Sequence, residues 1–138
     1  EGNDPQTLHG TGVNTDMDWE VYGPSLGRLL KDVHRDYPTK QIIITENGAA
    51  YATGPDDDGK VKDTRRRAYF EQHLAACEDA IADGVPLTGY FAWSLLDNFE
   101  WAFGYAKRFG LVHVDYETQK RTIKDSAYWY RDFVAENS

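Results

Sequence analysis

Gln41-Ile42-Ile43-Ile44-Thr45 runs directly into Glu46-Asn47-Gly48, and this octet decides how the chain is read. Three successive isoleucines favour extended backbone, because a branched Cβ restricts χ1 and packs well on a pleated surface. The run is continuous rather than alternating, which predicts a strand covered on both faces, as in a parallel sheet. A second such run, Leu87-Thr88-Gly89-Tyr90-Phe91-Ala92-Trp93-Ser94, follows Pro86 and predicts a second buried strand.

Helical patterns flank both strands. Glu1 to Gly23 is polar, punctuated by glycine and without a sustained period, so it reads as loop. Pro24-Ser25 opens a helix whose Leu26, Leu29, Leu30, Val33 and Tyr37 form one stripe, and Pro38 ends it. Thr53 to Lys62 reads as loop. Asp63 or Thr64 caps a long helix to about Asp83, with Gly84 just past its end and Tyr69, His73, Cys77, Ala80 and Ile81 on one face. After a loop from Leu95 to about Phe109, Leu111 to Ile123 predicts a hairpin turning around Glu117-Thr118-Gln119. Asp125 or Ser126 then caps a last helix through about Glu136, with Trp129 and Phe133 on one face.

The order helix, strand, long helix, strand, hairpin, helix predicts an α/β chain built on parallel βαβ units. Two strands are too few for a self-sufficient parallel sheet. Residues 1–138 are therefore expected to form a single partial domain, completed by further chain. The start, Glu1-Gly2-Asn3-Asp4-Pro5, has no initiator Met and no signal-peptide pattern, which also suggests a cut or processed chain. Cytoplasmic location is the default expectation.

Composition narrows the function classes. The formal net charge is −8, with 15 Lys+Arg against 23 Asp+Glu, which argues against a phosphate-seeking surface and so against nucleic acid. One cysteine, Cys77, precludes an internal disulfide. No apolar run approaches the roughly 18 residues of a membrane span. Aromatic residues make up 14% of the chain, and many lie between Tyr90 and Tyr116. That suits either a sugar-handling surface, where ring faces meet pyranose C–H groups, or a large aromatic core.

In parallel α/β architectures ligands bind where loops leave the carboxyl ends of the strands. Glu46 occupies such a place after the first strand, and Glu100 lies in the loop after the second. Gly48 permits the sharp turn that leaves a carboxylate at a rim. The tripeptide Glu46-Asn47-Gly48 alone reads first as an ordinary strand-to-loop turn, and Trp93 fits a core role. A core role for Glu100 is costly, because a buried, unpaired carboxylate loses its hydration.

Ile44-Thr45-Glu46-Asn47-Gly48 and the segment from Tyr90 to Trp101, with Trp93-Ser94-Leu95-Leu96-Asp97-Asn98-Phe99-Glu100-Trp101, resemble two C-terminal signatures of glycoside hydrolase family 1. Asp16-Met17-Asp18-Trp19-Glu20-Val21-Tyr22 and the segment from Arg108 to Tyr116 are similar to further family segments in the same order. The resemblance spans nearly the whole chain. It implies the C-terminal part of a (β/α)8 TIM barrel, its seventh and eighth β/α units, completed by a separate or missing N-terminal portion. It implies a retaining β-glucosidase in which Glu46 is the nucleophile, Trp93 the platform beneath the glycone, and Glu100 the acceptor for the glycone's outer hydroxyls. Trp101 would donate its indole N–H to a neighbouring hydroxyl, Phe109 would pack at the pocket base, and Trp19 would lie on the leaving-group side. The family's acid/base belongs to a fourth strand outside this chain, so the chain alone is expected to be inactive. Residue types alone leave Glu100 open as that acid; the resemblance argues against it.

An acidic Glu100 would repel a phosphate, which favours unphosphorylated β-glucosides or β-galactosides. A non-catalytic sugar-binding module and a purely structural barrel fragment remain the competing readings. No cofactor or metal is expected. His9, His34, His73 and His113 lack ligand spacing, Cys77 reads as a small buried residue, and Asp56-Asp57-Asp58-Gly59 fails the calcium-loop register and reads as a solvated loop. Arg65-Arg66-Arg67 reads as a surface charge cluster.

Overall fold

The computed structural model describes residues 12–137; His9 lies outside them. The elements follow the expected order: α1 (Gly23–Asp36), β1 (Ile42–Asn47), α2 (Thr64–Ala82), β2 (Leu87–Ala92), a short 3-10 turn (Trp101–Phe103), β3 (Val112–Val114), β4 (Arg121–Ile123) and α3 (Asp125–Glu136). β1 and β2 pair in parallel, whereas β3 and β4 form the antiparallel hairpin.

The sheet buries one face. Ile42, Ile44, Leu87 and Tyr90 pack with Leu26 of α1 against Leu30, Cys77, Ala80 and Val85. A second cluster joins Val21, Ala49, Tyr51, Tyr69, Phe70, Leu74 and Leu111, with Trp129, Tyr130 and Phe133 of α3 packed against it. α1 rides close on α2 because Gly27 has no Cβ; one placed there would stand 2.9 Å from the Ala76 carbonyl oxygen.

The expectation that both faces of β1 are covered is corrected: Ile43 is 45% exposed and Phe91 of β2 is 61% exposed. Helices α1, α2 and α3 all pack on the Ile42–Ile44 side, where Tyr130 of α3 also donates to the Tyr90 carbonyl (3.3 Å), whereas Ile43 and Phe91 on the other side stay largely open. The apolar stripes of the helices need the same correction. Leu29, Tyr37 and Ile81 are exposed, because α1 and α2 face each other through their small residues and not through these positions.

Helix starts also differ from expectation. Asp63 stands at the N-cap of α2, but its carboxylate makes no cap bond to that helix's backbone. It accepts from Arg66 Nε (2.9 Å), from the Ser126 N–H (2.9 Å) and from the Ser126 hydroxyl (2.6 Å). Lys124, not Asp125 or Ser126, precedes the first turn of α3. Arg66 is no surface residue: it is 0% exposed, because loops following β1 and β2 fold over the start of α2.

A second buried polar group lies under the hairpin. Asp97 Oδ1 accepts from Lys124 Nζ (2.9 Å) and the Gly110 N–H (2.9 Å), and Oδ2 from Arg108 Nη1 (3.2 Å) and the Val114 N–H (3.3 Å). Burial holds the Lys124 ammonium down to about 8, beside Arg66, which opposes its charge, and Asp97, which supports it. Cys77 is buried, as expected, and burial pushes its thiol up to about 11. Asp56 accepts N–H bonds from Asp58 and Lys60 and pairs with Lys62, so its loop closes on itself. Among the described residues no group of His, Cys, Asp and Glu could hold a metal, and no helix is long and apolar enough to cross a membrane.

Candidate active site

The last residues of β1 aim a carboxylate. Ile44 pairs with Tyr90, but the next pair is Asn47 with Ala92, so β1 carries one residue more than β2 across this step. A bulge of this kind bends the strand and redirects a side chain, and the bulged stretch contains Glu46. Beyond it the Trp93 N–H donates to the Asn47 carbonyl (2.8 Å), keeping both strand ends together. Gly48 is needed for proximity more than for the turn: a Cβ there would stand 1.8 Å from the Trp93 carbonyl oxygen. The Trp93–Ser94 peptide bond is cis.

Glu46 opens into a cavity of about 320 Å³ lined by Trp19, Asn47, Gly48, Tyr69, Trp93, Glu100, Trp101 and Phe109. All six residues singled out from the sequence therefore meet in one place. Phe109 is 2% exposed and forms the floor, and the Trp19 ring leans on it with centroids 6.3 Å apart. Trp19 stays half exposed on a short turn in which Asn14 bridges Glu20 and Thr15 accepts from the Met17 and Trp19 N–H groups. Trp101 stands out into solvent at 83% exposure, at the head of a turn closed by Gly104 N–H donating to its carbonyl. Glu100, partly buried beside it, accepts from the Asn98 side chain (3.4 Å). Asn98 in turn accepts from the Ser94 hydroxyl (2.8 Å).

Asn47 and Tyr69 were not expected here. Tyr90 of β2 donates to Asn47 Oδ1 (2.6 Å), and burial pushes its phenol above the usual range. Tyr69 reaches the cavity from α2, stacked on His73 with centroids 3.8 Å apart. Burial raises its hydroxyl to about 12, so it stays protonated, and a hydrogen bond with Asn47 opposes that rise. The residue's place on the helical stripe marks it as inward-facing; only the position of β1 beside that stripe turns inward-facing into cavity-lining. A larger groove, about 450 Å³ between α1 and α2, has no aromatic lining and is a packing seam.

Among the described residues, two carboxylates, three indoles and no cation line this cavity. Carboxylates accept from sugar hydroxyls, ring faces cover the apolar faces of a pyranose, and the volume is in the range of small-ligand sites. An ionised carboxylate with a free face toward a ligand can also act as a nucleophile.

Comparison with known proteins agrees with this chemistry. The family model for glycosyl hydrolase family 1 matches residues 3–138. The chain is 51% identical over 123 residues to β-glucosidase A of Thermotoga maritima, covering 89% of this chain and 28% of that protein, whose C-terminal part it matches. It is 48% identical over 122 residues to a 6-phospho-β-galactosidase of Streptococcus equi subsp. zooepidemicus, covering 88% of this chain and 26% of that protein. The solved structure of the family 1 β-glucosidase from Thermotoga maritima with isofagomine lactam superposes with a TM-score of 0.90 at 50% identity, covering 91% of this chain and 28% of that one. The chain thus spans about 28% of the length of the curated relative named first. Family 1 β-glucosidases are TIM barrels, and this chain has the fold of part of one. The chain belongs to glycosyl hydrolase family 1.

Proposed function

We propose that this chain supplies the nucleophile and much of the glycone-binding surface of a retaining β-glucosidase. In this reading residues 1–138 are a single partial domain, the seventh and eighth β/α units of a (β/α)8 barrel. An N-terminal portion of the same enzyme completes the barrel, and the two together are called the assembled enzyme below. The observation that carries the proposal is the convergence of Glu46, Trp93 and Glu100 on one cavity at the carboxyl ends of two parallel strands.

The Glu46 carboxylate attacks the anomeric carbon and forms a glycosyl ester as the aglycone departs. A carboxylic acid from the N-terminal portion, about 5–5.5 Å from the nucleophile in retaining enzymes, protonates the leaving oxygen and then deprotonates the attacking water. Trp93 underlies the sugar ring, Glu100 accepts from its outer hydroxyls, and the Trp101 indole N–H donates to a neighbouring one. Phe109 closes the base, and Trp19 flanks the aglycone. Without the N-terminal acid the lone chain does not turn over.

The relatives carry both unphosphorylated and 6-phospho names. No Lys or Arg among the described residues lines the cavity, which together with Glu100 supports an unphosphorylated β-glucoside or β-galactoside: from this part of the site a phosphate would meet like charge and no counter-charge.

The test is Glu46→Gly in the assembled enzyme, assayed with an activated aryl β-glucoside and azide. Azide entering the vacated space attacks from the face opposite the aglycone, so the expected product is the α-glucosyl azide. A β-glucosyl azide, or wild-type hydrolysis without azide, overturns the proposal.

A further inference from the structure

Arg66 uses its whole hydrogen-bonding capacity, four donors on the chain around the cavity and one on Asp63. A guanidinium carries five N–H donors. Nε donates to Asp63 (2.9 Å), Nη1 to the carbonyls of Ala49 and Phe109 (3.1 Å for the latter), and Nη2 to those of Tyr51 (3.0 Å) and Arg108 (2.8 Å). Two acceptors belong to the chain leaving Glu46-Asn47-Gly48. The other two belong to the chain entering the cavity floor at Phe109. Direct backbone bonds close the same ring: Tyr51 N–H to Arg108 O (3.0 Å), Ser94 N–H to Phe109 O (3.2 Å) and Trp93 N–H to Asn47 O (2.8 Å). The fork is held from behind, since Asp63 also accepts twice from Ser126 of α3.

We propose that Arg66 is a positioning residue: its planar guanidinium fixes the segment after Glu46 against the segment carrying Phe109, and so sets where the nucleophile stands over the cavity floor. The inference rests on the glycosidase reading given above. A fully buried ion pair contributes little net stability compared with apolar side chains of the same volume. Its retention here coincides with four carbonyl contacts, all to the two cavity-bearing segments. A lysine cannot replace it, because three donors on a point charge do not match four carbonyls spread in a plane.

The test uses the assembled enzyme and a 2-deoxy-2-fluoro-β-glucosyl fluoride, which traps the nucleophile as an ester. The maximal trapping rate is measured per folded molecule, with the folded fraction read by near-ultraviolet circular dichroism. Arg66→Ala and Arg66→Lys should each lower that rate on the order of 100-fold, the scale of an ångström misplacement, with a smaller change in inhibitor affinity. Guanidinium at sub-denaturing concentration should partly restore Arg66→Ala and not Arg66→Lys. Folded variants that trap at the wild-type rate, or full rescue by lysine, overturn the proposal. Should neither variant fold, Asp63→Asn, which removes the charge that holds the fork, should lower the rate several-fold; an unchanged rate overturns it equally. A wild-type enzyme that is not labelled at Glu46 removes the glycosidase reading and this inference with it. Labelled wild type and equally labelled variants remove this inference alone.

Discussion

Replacing Asp97 by asparagine changes one atom and leaves volume and shape almost untouched, so its cost isolates the polar network under the hairpin. Each carboxylate oxygen accepts twice: Oδ1 from Lys124 and the Gly110 N–H, Oδ2 from Arg108 and the Val114 N–H. Whichever way the carboxamide is oriented, its NH2 faces two donors that lose their acceptor; Arg108 Nη1, 21% exposed, alone among the four keeps a second one, the Val114 carbonyl (2.6 Å). The Lys124 and Asp97 side chains are each 0% exposed, so water cannot substitute. Removing one partner from such a buried pair costs about 3–5 kcal/mol, against a total stability of roughly 5–15 kcal/mol for a typical protein. The exposed pair Arg67–Glu71, at 2.7 Å with half-exposed side chains, is the comparison; losing it should cost about 0.3–0.5 kcal/mol. Urea denaturation of the assembled enzyme, read from the shift in midpoint at constant slope, measures both. A cost for Asp97→Asn below about 1 kcal/mol, close to that of the surface pair, would refute the reasoning.

Three further outcomes follow from the same geometry. Gly48→Ala should force the two strand ends apart, because its Cβ would stand 1.8 Å from the Trp93 carbonyl oxygen; a stability loss of about 1–3 kcal/mol and slower trapping of the nucleophile are expected, while Gly54→Ala, with open space around it, should be neutral in the same assays. Glu100→Gln should lower kcat/KM for an aryl β-glucoside roughly 10- to 150-fold, the equivalent of a lost charge-assisted hydrogen bond, with no loss of the labelling site; unchanged kcat/KM counts against its role at the glycone. Burial holds the His73 imidazole below its ordinary value of 6.5. The unfolded chain therefore takes up a proton that the native chain declines as pH falls below that value, and stability should drop on acidification from about pH 6.5. His73→Phe should shrink the difference in urea midpoint between about pH 7 and about pH 5, and an undiminished difference would assign that dependence to other groups.

The element order was legible because each pattern is local: three β-branched residues in a row, proline at a helix start, glycine just past an end. Coverage was not. Ile43 and Leu29 look like core residues in any window, and only the placement of neighbouring elements decides that they stay open. Arg66 shows the opposite error. A run of three arginines at a helix start reads as solvated, yet Arg66 falls at the i, i+3, i+4, i+7 spacing of Tyr69, Phe70 and His73, all buried. That register was the available signal. Of its acceptors only Asp63, three residues back, is local; the four carbonyls lie 15 to 43 residues away in sequence, beyond the reach of any local pattern. Glu46 and Glu100 were legible because strand ends gather ligand-binding groups as a rule of the architecture, whereas Trp93, which fits a core as well, was singled out through the family resemblance. Tyr69 was not, since the same spacing that marks a core face also places a residue beneath a cavity.

The most direct measurement is peptide mapping of the assembled enzyme after trapping with a 2-deoxy-2-fluoro-β-glucoside. A single adduct on the peptide carrying Ile44-Thr45-Glu46-Asn47-Gly48, with the ester on the Glu46 carboxylate, is the expected result. An adduct on Glu100, or stoichiometric inactivation that leaves this peptide unmodified, would contradict it.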